Sequence, residues 1–196
     1  HLSVHSFPTR RSSDLFKNRG NDGISMERWQ IFLVVLCIIL FASAFDVSTL
    51  DRAEFVNDQA EVLSPEEETR IEAMLINLEQ QTTLEFAVVT IESLEGGDIF
   101  DASLEAAEYL GVGKRDVDNG LLLFIAVEDR RYFVQVGSGL EGVLPDVRVN
   151  HVMESTLVPA FREGNYAQGI ENSLQGLAAY ASSDESAISE FQSTYG

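Results

Sequence analysis

Leu121 to Val127 is apolar at every position, the pattern of a strand covered on both faces. Glu128-Asp129-Arg130-Arg131 interrupts it, and Tyr132-Phe133-Val134-Gln135-Val136 returns as a second strand, so a hairpin is predicted. Upstream, Ser64-Pro65-Glu66-Glu67 is a capping box with proline at the first helical position. The helix it opens carries Ile71, Met74, Leu75 and Leu78 on one face and ends near Gln81-Thr82. Leu84 to Ile91 follows as a β-branched strand. Asp98 can cap the next helix, which runs to about Leu110 with Leu104, Ala107 and either Leu110 or Tyr109 inward, and stops at Gly111 and Gly113.

After the hairpin, Pro145 marks a helix start, and Val149, Val152, Met153 and Leu157 form its apolar stripe until Pro159 ends or kinks it. Asn165 and Gln168 can cap a last helix with Ile170, Leu174 and Leu177 inward. Phe45 to Asn57 reads as an extended lead-in, and the polar tail, residues 182–196, as disordered. The order is helix, strand, helix, strand, strand, helix, helix. The crossover between the first two strands should make them parallel and right-handed, with the third antiparallel beside its neighbour. Helices on both faces of this small mixed sheet give a three-layer α/β/α sandwich.

The beginning of the chain is of another kind. Residues 1–25, including His5-Ser6-Phe7-Pro8-Thr9-Arg10-Arg11, resemble a translated sequencing adapter with lead-in, and Met26 is the plausible initiator. Residues 26–44 read as a signal peptide: a short polar start, an apolar run from Ile31 to Phe41, and Ala42-Ser43-Ala44 as a small-x-small cleavage site. The run is short of the roughly 20 residues a spanning helix needs, which favours cleavage and export to the periplasm or beyond over a permanent anchor. The single cysteine, Cys37, lies inside it, so the mature region, read as one domain over residues 45–181 plus the tail, has no thiol chemistry.

The chain has 32 acidic and 13 basic residues. Residues 1–44 hold three of the acids and five of the bases, which leaves 29 against 8, a net charge of −21 for the mature part. Such a surface repels nucleic acid and anionic lipid and can concentrate cations.

A hairpin returns its exit beside its entry. Asp116, Asp118 and Asn119 precede this one and Glu141 and Asp146 follow it, so these oxygen-bearing residues are expected to converge. They suit Ca²⁺ or Mg²⁺ rather than zinc. Each also has an ordinary reading: Asp118-Asn119-Gly120 is a common turn, and Asp146 in a first helical turn favours the helix dipole. Glu141, between Leu140 and Gly142, is the member a bare turn does not need. The loop is not an EF-hand, because its glycine comes one place early and a strand follows. Asp129 and Asp58 are expected at the opposite edge of the sheet as a second polar site with Arg130 and Arg131, unless Asp58 braces the first helix and the arginines are simply solvated.

Several motifs in order resemble the TPM domain, a family named after a thylakoid-lumen protein, a photosystem accessory protein and a worm modulator of acetylcholine receptors. They are Phe55-Val56-Asn57-Asp58-Gln59-Ala60, Leu110-Gly111-Val112-Gly113, Asp118-Asn119-Gly120-Leu121-Leu122, Val136-Gly137-Ser138-Gly139-Leu140-Glu141-Gly142, Leu144-Pro145-Asp146 and Phe161-Arg162-Glu163-Gly164-Asn165-Tyr166. The resemblance implies a Rossmann-like sandwich and an extracytoplasmic or lumenal location. Plant members are described as calcium-binding acid phosphatases that help photosystem repair. Bacterial members often carry a C-terminal membrane helix; none precedes Gly196, which leaves a released soluble form or a sequence that stops short.

A phosphatase must stabilise the transferring phosphoryl group and supply a nucleophile. The mature part offers no cysteine, and its one histidine, His151, reads as an ordinary helix residue. Asp116-Val117-Asp118 precedes its strand, whereas aspartyl-phosphate enzymes place the aspartates after one. Two functions therefore stand: an accessory module that engages a membrane-protein partner, with calcium as an influence, and a divalent-metal-dependent acid phosphatase.

Overall fold

A computed structural model describes residues 45–113 and 117–196. The segments read as an adapter and as a signal peptide, the latter with Cys37, and Asp116 lie outside the described residues. Four strands form one sheet in the order β1-β2-β3-β4: β1 (Val56–Asp58), β2 (Glu85–Ile91), β3 (Gly120–Ala126) and β4 (Arg131–Val136). β1 pairs parallel to β2 and β2 parallel to β3, whereas β4 runs antiparallel to β3 from Leu121↔Val136 to Ala126↔Arg131. The hairpin and the mixed sheet thus form as the pattern predicts.

Every residue of β3 is buried. Leu121, Leu123 and Ile125 join one core cluster, and Leu122, Phe124 and Ala126 join the other. This two-sided burial is why the strand is apolar throughout. The larger layer contains α1 (Pro65–Thr82), α3 (Asp146–Ser155) and α5 (Tyr166–Ala181), and the other contains α2 (Ile99–Leu110) with Leu50 and Phe45.

The strand order is monotonic through the two parallel crossovers, yet α1 and α2 pack on opposite faces. The crossovers are therefore of opposite hand, and the right-handed rule is obeyed by one of them.

Local signals explain most element ends. Glu67 N donates to Ser64 Oγ at 3.3 Å and Ser64 N to Glu67 Oε2 at 2.8 Å, closing the capping box of α1. The helix stops at Thr83 in the left-handed region (φ 62°). Thr156 breaks α3 from α4 (Leu157–Arg162); Pro159 would clash with the carbonyl four residues back in one continuous helix. Asn165 precedes α5, but without the side-chain cap bond expected of it.

Three expectations are corrected. The lead-in ends in β1, a strand too short for any alternation to show, held by Val88 N donating to Phe55 O at 2.8 Å. In α2 the buried residues are Ile99, Ser103 and Ala106, while Leu104 is exposed. The small Ser103 lets the helix approach, and its hydroxyl is satisfied by donating to Phe100 O at 2.9 Å and accepting from Gln135 Nε2 at 2.9 Å. The tail forms α6 (Glu185–Tyr195), opened by Asp184 accepting from Ser186 N and Ala187 N, and anchored by Phe191 edge-on to Tyr180 at 6.0 Å. One buried aromatic in a polar segment leaves little periodicity to detect.

Candidate functional site

The sheet has two rims. The starts of β2 and β3 and the end of β4 make the amino rim. The ends of β1, β2 and β3, with the turn into β4, make the carboxyl rim.

On the amino rim the hairpin brings its entry and exit together. Gly139 N donates to Asp118 O at 3.0 Å and Gly137 N to Gly120 O at 2.9 Å. The backbones are so close that a Cβ on Gly137 would collide with the Asp118 carbonyl, and one on Gly139 with that of Val117. Asp118 adopts a positive φ of 48°. Its carboxylate accepts from Ser138 Oγ at 2.6 Å and Ser138 N at 3.0 Å. These bonds, the hydroxyl's first, hold its pKa below the usual carboxylate range. Asn119 is buried and its amide donates to Thr83 O, tying the loop to the end of α1. Gly113 N donates to Glu85 Oε2 at 2.9 Å.

Asp118 and Asn119 are thus engaged in fixing loops. Glu141 lies two residues beyond Gly139, and Asp146 opens α3; both are exposed. Among the described residues no three acidic, histidine or cysteine side chains are grouped to hold a metal, and Asp116, the remaining candidate, is not among them. His151 is exposed on α3.

The carboxyl rim takes the second set of candidates. Asp58 accepts from Leu63 N at 2.8 Å and from the Thr90 hydroxyl; it braces the loop into α1, the alternative its position allowed. Asp129 accepts from Leu94 N at 2.7 Å. The two acids therefore hold separate loops instead of sharing a site with the arginines. Arg130 and Arg131 line a cavity of about 510 Å³ together with Tyr132, Leu157, Phe161, Arg162 and Tyr166. Burial pushes the Tyr132 phenol up, with the Glu154 carboxylate adding to it. Arg162 was not among the residues expected here. The only signal for it was the Phe161-to-Tyr166 motif, which says nothing of where it packs.

The family model of the TPM domain matches residues 56–180. The chain belongs to the TPM-domain family. A comparison with curated protein sequences finds no match. Among solved structures, this TPM protein is similar to the N-terminal domain of a P. gingivalis protein, with 30% identity, a TM-score of 0.64, and coverage of 70% of this chain and 92% of that one. It shares its fold with a Bizionia argentinensis protein (23% identity, TM-score 0.56, 65% and 90% covered). The same holds for the N-terminal domain of a Corynebacterium glutamicum protein (21% identity, TM-score 0.51, 75% and 90% covered).

Proposed function

We propose that this TPM-domain protein is an exported binding module that assists assembly or repair of a membrane-protein partner, and that Ca²⁺ or Mg²⁺ at the amino rim tunes the engagement. One observation carries the reading. Asp118 and Asn119 lock the loops with hydrogen bonds, while Glu141 and Asp146 on the same rim are exposed and their carboxylates have no hydrogen-bond partner among the described residues. A fixed frame with exposed hard-oxygen ligands suits a reversible, partly hydrated cation. Catalysis would instead ask for a nucleophile held against a base, and among the described residues the exposed His151 makes no such pair.

Thermal unfolding with added metal tests this. A cation present at ten times its Kd should raise the melting temperature by about 4 °C in a chain of this size. The pair Glu141→Gln and Asp146→Asn should remove that rise. No rise at millimolar Ca²⁺ or Mg²⁺ would overturn cation tuning. Metal-dependent hydrolysis of p-nitrophenyl phosphate, lost in the same pair, would replace the binding reading with the acid phosphatase.

A further inference from the structure

The cavity on the carboxyl rim differs from the acidic surface around it among the described residues. Residues 45–196 carry only eight basic side chains, and three of them, Arg130, Arg131 and Arg162, line this one cavity. Arg131 leans toward Asp98, with Nη2 4.0 Å from Oδ2. Arg130 and Arg162 form no ion pair among the described residues. With 29 acids in residues 45–196 to choose from, two cations at one cavity without a carboxylate partner mark a local inversion of the field. α5 begins at the same cavity, at Tyr166, with no side-chain cap bond on its first-turn N–H groups, and the positive end of its dipole adds to that inversion.

Apart from the Tyr132 and Tyr166 phenols, the remaining lining is apolar. Ile125, Ala126 and Leu157 are buried core residues, and Phe161 stands edge-on to Tyr166 at 4.8 Å. At about 510 Å³, the cavity lies inside the range of about 300–1,000 Å³ typical of small-molecule sites. It opens beside the carboxyl end of β3 and the turn into β4.

The chemistry of the occupant follows from these surroundings. Guanidinium groups pair with planar two-oxygen anions. A bare or multiply charged inorganic anion would be repelled by the surrounding acidic surface and would leave the apolar lining unused. A singly charged anion on an apolar body meets less repulsion and covers that lining.

We propose that this cavity binds an organic carboxylate, its oxygens between the Arg130 and Arg162 guanidiniums and its apolar body on Ile125, Leu157 and Phe161. Two sources share that chemistry: a free small acid, and the C-terminus of a peptide ending in an apolar residue. The site is separate from the amino rim and requires no metal.

The test follows backbone amide shifts of the protein by NMR with five probes: hydrocinnamate, hydrocinnamyl alcohol, inorganic phosphate, a short peptide ending in phenylalanine, and its C-terminal amide. Hydrocinnamate should move the amides of the Val127-to-Tyr132 turn and of α4, saturating at or below millimolar concentration. The alcohol should bind about tenfold more weakly or less well still, since one charge-assisted bidentate contact accounts for that factor. Arg130→Gln with Arg162→Gln should weaken hydrocinnamate by about tenfold and leave the melting temperature unchanged. If the free-acid peptide outbinds hydrocinnamate while its amide does not, the ligand is a chain terminus; the reverse ranking makes it a free acid. Either ranking sustains the carboxylate site. Equal binding of the alcohol, tighter binding of phosphate, or no shift at the cavity with any probe would overturn it.

Discussion

The two rims place their polar groups differently. On the amino rim, Asp118 and Asn119 are drawn into the hydrogen bonds that close the hairpin mouth against α1. On the carboxyl rim, Asp58 and Asp129 are similarly drawn into loop bracing, but the arginines after Asp129 are left facing a cavity. A polar residue near a strand end is therefore not by itself a sign of a site. What distinguishes the rims is which groups remain without a partner: two exposed carboxylates on one, and on the other two unpaired guanidiniums over an apolar floor.

If the amino rim is chiefly a frame, its largest sensitivity should be to backbone approach. Gly137→Ala places a Cβ against the Asp118 carbonyl and the Gly120 amide. It should cost about 3 kcal/mol by urea unfolding, the range of forced backbone shifts. At Gly142, in the same loop, a Cβ would meet nothing within 4 Å, and Gly142→Ala should stay within about 0.5 kcal/mol. Equal effects of the two would mean that the close approach is not what holds the mouth together. On the other rim, Asp58→Ala removes the acceptor of Leu63 N and of the buried Thr90 hydroxyl. A loss of about 2 kcal/mol is expected in the same assay. A loss near zero would return Asp58 to the list of available ligands.

How far the sequence led differs by element and by kind of residue. The hairpin, the capping box of α1 and the break near Pro159 were legible because their signals are local: an unbroken apolar run, a four-residue cap, a ring that excludes a carbonyl. β1 was not, since three residues carry no period and its place is set by pairing with Val88 to Thr90 far along the chain. α2 was found but rotated, because a buried serine replaced the leucine that the pattern favoured. Asp118, Asn119, Glu141 and Asp146 lie toward one end of the sheet, and Asp58, Asp129, Arg130 and Arg131 toward the other. Their roles were hidden, because Asp118, Asp58 and Asp129 accept from the backbone amides of Ser138, Leu63 and Leu94, and any residue but proline can supply such a donor. Arg162 was missed for a related reason: only packing of α4 over the turn brings it beside Arg130.

The acid limb of stability should report the amino rim specifically. Asp118 is held below its ordinary pKa by the Ser138 hydroxyl and amide. A depressed carboxylate contributes stability that is fully present above its unfolded value, about 3.9, and lost as pH falls through the folded value. Ser138→Ala should move the Asp118 titration upward in NMR and flatten the stability loss below about pH 4, because stability falls near neutrality, where Asp118 is ionised, and changes little in acid. An unmoved titration would show that the hydroxyl is not the group holding Asp118.

The smallest expected change is the sharpest contrast between the rims. Arg130 sits in the left-handed region at φ 52°, a conformation that asparagine adopts more cheaply than arginine. Arg130 is exposed and has no ion pair among the described residues, so the fold gains nothing evident from its charge. Arg130→Asn should therefore raise stability by about 0.5 kcal/mol while weakening hydrocinnamate binding. A residue that costs stability where it stands, and whose removal harms only binding, is what a ligand site leaves in a fold. If the variant is instead less stable than the parent, Arg130 belongs to the framework as Asp118 does, and the difference between the two rims disappears.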